Sequence, residues 1–302
     1  MTAQDSLLAT QPTVVDLCAD ARRDGRVLVA CDVSPPRGAT IEALAEIAAM
    51  PADLYCVAYA PGRAVRLDSL AMAVVLRATT GRGTTFNLAT RDMNKLALQN
   101  HLLGAEALGQ PNVVIVRGDE LTTRDQGLFK AVHDYTPSAL VAATAAMNEG
   151  KDFRGNALRS PARLCGGATM DLARGAEDEA RLAGRKVRAG ARFFLTQPIY
   201  SPEEAEHLME TYRSVNDDNL TVPVFWGFPV LAAESITFGE PPERWRSELA
   251  AGRPSADLAA EELQRFTAAG LTTLYVMAPI LRGGARDYTA AATALSHGLG
   301  RA

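Results

Sequence analysis

Eight short apolar runs, each followed by a stretch with helical spacing, predict a single (β/α)8 TIM barrel for this 302-residue chain. Three observations carry the prediction. Strand and helix alternate, which builds a parallel sheet. There are eight such units with no break in composition, which favours closure over an open doubly wound sheet. Several runs end in Gly, Pro, Asp or Gln, as strands do where they give way to loops at a barrel rim. One domain spans 1–302, since barrels commonly run to ~250 residues or more as one unit. Residues 1–25 form an N-terminal extension with a capping helix.

That extra helix covers Val14 to Arg23 and closes the bottom of the barrel. The first strand, Val27-Leu28-Val29-Ala30-Cys31 and onward to Val33, is halted by Ser34-Pro35-Pro36-Arg37-Gly38, which can continue neither a ladder nor a helix. Ile41, Leu44, Ile47 and Ala48 then recur at helical spacing. Leu54 to Tyr59 leads to a helix from Asp68, Thr84 to Ala89 to a helix from Asp92, and Val113 to Val116 to a helix from Ser138. Arg163 to Gly166 precedes a charged helix from Ala176 to Ala189. Arg192 to Thr196 opens Phe193-Phe194-Leu195-Thr196-Gln197-Pro198-Ile199-Tyr200, where Pro198 stops the strand, and a helix follows from Pro202. Val222 to Gly227 leads into a long connection containing Gly239-Glu240-Pro241-Pro242 and Gly252-Arg253-Pro254 before a helix from Asp257. Thr273 to Met277 is the eighth strand, and the last helix starts near Arg286.

Composition narrows the function. Apolar residues make up 47% of the chain, ample for a large core, and the net charge of -4 with scattered cations leaves no footprint for nucleic acid. A small molecule is the expected partner. Cys18, Cys31, Cys56 and Cys165 lack CxxC spacing, and three of them fall in strands, which argues against a zinc site or a disulfide framework. The longest apolar run, Ala139 to Met147, is too short to span a bilayer, and Met1 to Val15 has no leader pattern. A soluble, unprocessed, cytoplasmic protein is expected, with no membrane partner; a homo-oligomer is left open. His101, His133, His207 and His297 make no HExxH spacing, so no metal site is expected.

Barrel chemistry gathers at the C-terminal strand ends. The residues there are Asp32, Tyr59, Asn87, Thr90-Arg91-Asp92, Arg117-Gly118-Asp119, Gly166-Gly167, Gln197, Gly227-Phe228 and Met277. Asp32 ends an apolar strand: in a dry site its pKa would rise and it could act as a general acid, while an Asp capping the next turn explains it equally well. Arg117-Gly118-Asp119 follows a buried strand and is not an adhesion tripeptide; a loop-closing Arg–Asp pair and an Asp aimed at a ligand both account for it. Gln197 offers a donor and an acceptor, as the amide edge of a pterin or flavin requires, or it bonds a neighbouring loop. Arg282-Gly283-Gly284 stands where barrels often bind phosphate, though a plain helix start explains it as well. The basic end of the helix at Arg185-Lys186-Val187-Arg188 is ordinary dipole compensation. Gly81-Arg82-Gly83 precedes a strand and is no dinucleotide fingerprint.

These rim residues resemble the methylenetetrahydrofolate reductase family, especially the form also found as a domain joined to homocysteine methyltransferases. The matching segments are Asp32-Val33-Ser34-Pro35-Pro36-Arg37-Gly38, Thr90-Arg91-Asp92-Met93-Asn94-Lys95-Leu96-Ala97-Leu98-Gln99, Leu102-Leu103-Gly104-Ala105, Arg117-Gly118-Asp119, Lys186 to Ala191 and Thr196-Gln197-Pro198-Ile199-Tyr200. The resemblance implies a (β/α)8 barrel that reduces 5,10-methylenetetrahydrofolate to 5-methyltetrahydrofolate with NADH, or alternatively NADPH, usually through FAD. It implies that Asp32 stands where the family has a glutamate acid that protonates N10, and that Asp119 stabilises the resulting 5-iminium cation. Gln197 matches a folate-contacting glutamine, with Tyr59, Phe228 and Arg282 as further substrate contacts. Asn87, Thr90, Arg91, Arg117, Gly118, Arg185 and Lys186 fall on cofactor positions, which revises the dipole reading of Lys186.

The chain departs from the family at several of these positions. Asp32 is one methylene shorter than the glutamate, Asn87 replaces a histidine, Ala58 a threonine, and Glu120-Leu121-Thr122-Thr123-Arg124-Asp125 a Gly/Pro-rich loop. The changes cluster around the flavin, so FAD is expected to bind weakly or not at all. A folate-binding methyl-transfer component and a non-catalytic folate-binding or partner-regulating protein are the alternative functions.

Overall fold

The structure is a computed structural model that describes residues 9–301. Eight strands close into a parallel barrel in sequence order: β1 (Leu28–Val33), β2 (Leu54–Val57), β3 (Gly83–Ala89), β4 (Asn112–Val116), β5 (Cys165–Met170), β6 (Phe193–Pro198), β7 (Val224–Pro229) and β8 (Thr273–Met277). The seam between β8 and β1 pairs Leu28 with Thr273 and Asp32 with Met277. The expected TIM barrel is the fold.

Around it lie α1 (Val14–Arg23), α2 (Ala45–Ala48), α3 (Ser69–Thr80), α4 (Lys95–Ala107), α5 (Thr123–Gln126), α6 (Pro137–Asn148), α7 (Ala176–Arg188), α8 (Pro202–Asn216), α9 (Glu243–Ala250), α10 (Ser255–Ala268) and α11 (Tyr288–Leu299). Side-chain oxygens of Asp68, Asn94, Thr136 and Asp287 accept from backbone N–H groups in the first turns of α3, α4, α6 and α11. Those caps fix where each helix starts. No helix among the described residues is long and apolar enough to cross a membrane.

Strand alternation separates two layers of apolar packing. Leu28, Ala30, Leu54, Cys56, Val114, Cys165, Phe193, Leu195, Phe225 and Tyr275 fill the barrel interior. Val29, Cys31, Phe86, Leu88, Val113, Phe194, Trp226 and Phe228 face outward and pack beneath the helices. All four cysteines are buried and free.

The bottom is closed by α1 and the segment before it. Thr13 and Asp16 form a capping box, and the Val14 N–H donates to Asn112 Oδ1 at 2.9 Å. Gln11 Nε2 donates to the Thr84 carbonyl at 2.9 Å while Gln11 Oε1 accepts from the Thr84 N–H at 2.8 Å. The chain therefore docks onto the starts of β3 and β4, and Val14, Cys18 and Ala21 join the interior layer. Residues 1–8 of the expected N-terminal extension lie outside the described residues.

Several element bounds differ from the sequence reading. Two glycine-bearing strands run on: β5 continues through Gly166-Gly167 to Met170, and β7 through Gly227-Phe228 to Pro229. Both glycines are packing requirements. A Cβ on Gly167 would lie 2.3 Å from Phe193 Cζ, and one on Gly227 would lie 2.5 Å from the Gln197 carbonyl oxygen. Gly166-Gly167 is thus mid-strand and not on the rim. β6 does not stop before Pro198 but includes it, with a register shift against β7 between Leu195 and Pro198. The segment after β1 is a 3-10 turn, Ile41–Leu44, that leads into α2. The long seventh connection holds α9, unforeseen in the sequence, whose Trp245 is buried against Tyr200 and Phe228.

Candidate active site

The barrel mouth is organised around Asp32. On β1 the inward positions are Leu28, Ala30 and Asp32, so the last of them brings a carboxylate to the top of an apolar interior, where it is 6% exposed. Neither oxygen is left bare. The Tyr275 hydroxyl, from β8, donates to Oδ1 at 2.7 Å, and Arg286 Nη2 lies 2.6 Å from Oδ2. Arg286 also donates through Nη1 to the Ala278 carbonyl at 3.1 Å and through Nε to Ser34 Oγ at 3.3 Å. Burial first, then the Asp32 charge and the hydrogen bond to it, push the Tyr275 phenol well above its ordinary range, so it keeps its proton and stays a donor.

Asp32 is therefore neither a bare acid in a dry pocket nor a turn cap. It is the centre of an Arg–Asp–Tyr constellation built from β1, β8 and the loop after β8. The sequence reading missed Tyr275 and Arg286. Tyr275 had a findable signal, an aromatic hydroxyl at an inward position of β8 two residues before the strand end; Arg286 had none beyond its charge.

A second constellation ties the ends of β3 and β4. Arg91, 3% exposed, holds Asp92 with Nε and Nη2, each at 2.7 Å, and donates through Nη1 to the Asp119 carbonyl at 2.7 Å. Gly118 has φ +87, and a Cβ there would meet Ala89 and Arg91 at 3.1 and 3.2 Å, so this bend needs glycine. It leaves the Asp119 side chain exposed on the rim. Tyr59 stands just beyond β2; burial and then the neighbouring Asp92 carboxylate push its phenol upward. Asn87 Oδ1 and Thr90 Oγ1 are buried with no hydrogen-bond partner among the described residues, an unmet polar demand next to the mouth.

Gln197 is exposed at the end of β6, on the inward alternation of Phe193 and Leu195, and projects from the mouth. Three expected positions lie elsewhere. Phe228 is fully buried on the outer face of β7, 5.1 Å from the Phe266 ring centroid, and cannot touch a ligand in the mouth. Its neighbour Gly227 faces inward. Arg282 is exposed on a 3-10 turn after β8, whereas Arg286, four residues on, reaches the site. Lys186 is buried in α7, donating to the Thr169 carbonyl at 2.5 Å and pairing with Glu179 at 3.4 Å, while Arg185 points to the outside.

These positions test the family's flavin. A resident FAD needs cations for its diphosphate, yet Arg91 is spent on Asp92 and Lys186 on Glu179. Arg117 lies 3.5 Å from Glu120, and α7 opens with Glu177, Asp178 and Glu179. The loop after Asp119 is pinned by Arg63, whose Nε donates to Asp125 at 2.7 Å. The residues present do not fit a tightly held flavin diphosphate.

A model of the methylenetetrahydrofolate reductase family matches residues 18–239. No curated protein matches the sequence. Among solved structures, the chain is similar to an uncharacterized protein from Clostridium thermocellum that binds two copies of 5-methyl-5,6,7,8-tetrahydrofolic acid. The TM-score is 0.60 and the identity 16%, over 93% of this chain and 98% of that one. It is also similar to 2,3-dimethylmalate lyase, a member of the PEP mutase/isocitrate lyase superfamily, with TM-score 0.51 and 12% identity over 88% of this chain and 80% of that one. At these identities the likeness is one of fold.

Proposed function

This chain belongs to the methylenetetrahydrofolate reductase family, and from that premise we propose that it reduces 5,10-methylenetetrahydrofolate to 5-methyltetrahydrofolate, taking hydride from NADH, or alternatively NADPH, without a resident flavin. The observation that carries the reading is the carboxylate of Asp32, held at the top of the barrel interior by Tyr275 and Arg286.

In the proposed reaction the C–N10 bond of the imidazolidine ring breaks, N10 takes a proton from Asp32, and a 5-iminium cation forms. Hydride from the nicotinamide then adds to the iminium carbon, giving the 5-methyl group and NAD+. The Arg–Asp–Tyr arrangement suits the state after proton transfer, because Tyr275 and Arg286 each receive one oxygen of the new carboxylate. Reloading Asp32 requires Arg286 to withdraw from Oδ2. Asp119, exposed on the opposite loop, supplies negative charge to the cation, and Gln197 contacts the pterin.

NADH fits as a second substrate. Exposed Arg117 and Lys130 border a cavity of about 450 Å³ that also includes Phe129 and His133. Exposed cations give weak binding, as suits a nucleotide that leaves after each turnover. Both substrates must then be present together for direct transfer.

One observation favours a second reading: Arg286 Nη2 already lies 2.6 Å from Asp32 Oδ2, and a pair that never opens would leave the mouth binding folate without turning it over. The deciding experiment is methylenetetrahydrofolate-dependent NADH oxidation by protein shown to be free of flavin, repeated with FAD added. Activity without FAD supports direct transfer, activity only with FAD restores the flavin route, and folate binding without activity supports the second reading.

A further inference from the structure

The loop after β2 is tied to both sides of the mouth. On one side, Arg66 Nη1 donates to the Pro35 carbonyl at 2.8 Å, and the Leu67 N–H donates to the Pro36 carbonyl at 2.9 Å. Both carbonyls belong to the loop after β1, whose Ser34 Oγ accepts from Arg286, the partner of Asp32. On the other side, Arg63 Nε donates to Asp125 Oδ2 at 2.7 Å. The same carboxylate accepts from the N–H and hydroxyl of Thr122, closing the capping box that starts α5. Gln126 of α5, with Glu120 and Leu121 before it, lines the cavity bordered by Arg117 and Lys130. Among the described residues, no other hydrogen bond or ion pair joins the loop after β2 to the loop after β4.

The segment between these ties has a backbone form that side chains disfavour. Ala60 has φ +38 and Arg63 φ +56, with Gly62 between them at φ +70. Only glycine enters this left-handed region freely, so two of the three residues are strained. The Arg63 N–H donates to the Ala60 carbonyl at 3.0 Å and Arg66 Nε to the Pro61 carbonyl at 3.1 Å, which closes the turn on itself. Relaxing Ala60 or Arg63 to negative φ would swing the Arg63 side chain away from Asp125. Such a turn persists because its outside partners hold it.

We propose that Arg63 is a positioning residue that couples the two substrate sites, so that folate at Asp32 and NADH at the cavity beside Arg117 and Lys130 each bind more tightly when the other is present. The inference rests on the functional reading above, which puts both substrates in the mouth at once. Folate against the loop after β1 steadies the carbonyls that hold Arg66, and NADH against α5 steadies the carboxylate that holds Arg63. Each ligand therefore fixes one end of the same strained turn, and the second meets a turn already ordered. Arg63 acts through Asp125 and not on the reacting atoms.

5-Methyltetrahydrofolate and NADH are both reduced and cannot react with each other, so the two can be held on the protein at equilibrium. The test measures dissociation constants of the flavin-free full chain for 5-methyltetrahydrofolate, with and without saturating NADH, and for NADH alone, in the wild type, Arg63→Ala, Arg63→Lys and Ala60→Gly. NADH is expected to tighten folate binding about fivefold or more in the wild type, and the ratio to fall to about one in Arg63→Ala. Arg63→Lys should restore part of it, because an ammonium still pairs with Asp125. Ala60→Gly relieves the strain, so each ligand alone should bind more tightly while the ratio shrinks, the turn being ordered before either arrives. A merely structural Arg63 would weaken NADH binding in Arg63→Ala and leave the ratio intact, which overturns the proposal; so do equal folate dissociation constants with and without NADH in the wild type. If Arg63→Ala does not fold, the ratio in Ala60→Gly decides alone. Folate binding by the wild type with no NADH binding defeats the functional reading itself, and this inference with it.

Discussion

The guanidinium of Arg286 stands 2.6 Å from Oδ2 of Asp32, joining the loop after the last strand to the end of the first. The seam that closes the barrel by β1–β8 hydrogen bonds is thus also closed at its upper rim by a buried ion pair. Removing one partner of such a pair strands the other charge, whereas replacing both by apolar groups need not cost stability.

Asp32→Ala is expected to lower folate reduction by roughly 100-fold or more, as loss of a general acid does, while folate binding is largely kept. Wild-type NADH oxidation in this variant would remove Asp32 as the acid. The same variant should lose about 3 kcal/mol of stability to urea through the stranded Arg286, with much of it recovered in Asp32→Ala/Arg286→Met.

Gly227→Ala places a Cβ 2.5 Å from the Gln197 carbonyl oxygen and 2.7 Å from that of Thr196. Both contacts are backbone and cannot rotate away. The expected cost is about 1–3 kcal/mol, together with weaker folate binding because β6 must carry Gln197 aside. Urea melts and folate titration on one preparation check both, and lowered stability with wild-type folate affinity would show that Gln197 has no part in binding.

Lys186→Met should destabilise the protein by about 3 kcal/mol by leaving Glu179 buried beside Arg174 alone, and Lys186→Met/Glu179→Leu should recover most of that. Burial lowers the Lys186 pKa, with Glu179 opposing, which fits a structural pair. Neither variant should change the response of activity to added FAD; a change would return Lys186 to a cofactor role.

His101 gives an acid-sensitivity prediction. Burial lowers its pKa from 6.5, with Asp68 opposing, and Nε2 is buried without a partner. The unfolded chain therefore binds a proton near pH 6.5 that the folded chain refuses, so stability is lost as pH falls from there toward the lower folded pKa. The slope is at most about 1.4 kcal/mol per pH unit. His101→Gln should flatten this part of the curve of urea midpoint against pH, and an unchanged slope would assign it to other groups.

Much of this architecture was legible in the chain. Val14 to Arg23 and Thr273 to Met277 coincide with α1 and β8, and the caps Asp68 and Asn94 lie at or within two residues of the expected helix starts. The failures share a cause. Gly166-Gly167 and Gly227 read as strand ends because glycine breaks local patterns, yet they sit mid-strand, Gly167 under the Phe193 ring and Gly227 against the β6 backbone. Trp245 lay in what read as an irregular connection because its helix exists to cover Tyr200 and Phe228, which are distant in sequence.

The sequence by itself determined the eight-unit alternation and the placing of Asp32, Asp119 and Gln197 at or just past strand ends, because hydrophobic period and turn chemistry are local properties; closure it only favoured, and the pairing of β8 with β1 completes it. Only the tertiary structure decided what those groups meet. Arg286 lies more than 250 residues from Asp32 along the chain yet shares its carboxylate, while Phe228 packs on the outer layer and Lys186 is held by Glu179 and the Thr169 carbonyl. Charge pairing and the facing of a side chain depend on which distant surfaces barrel closure presses together, and no local pattern records that.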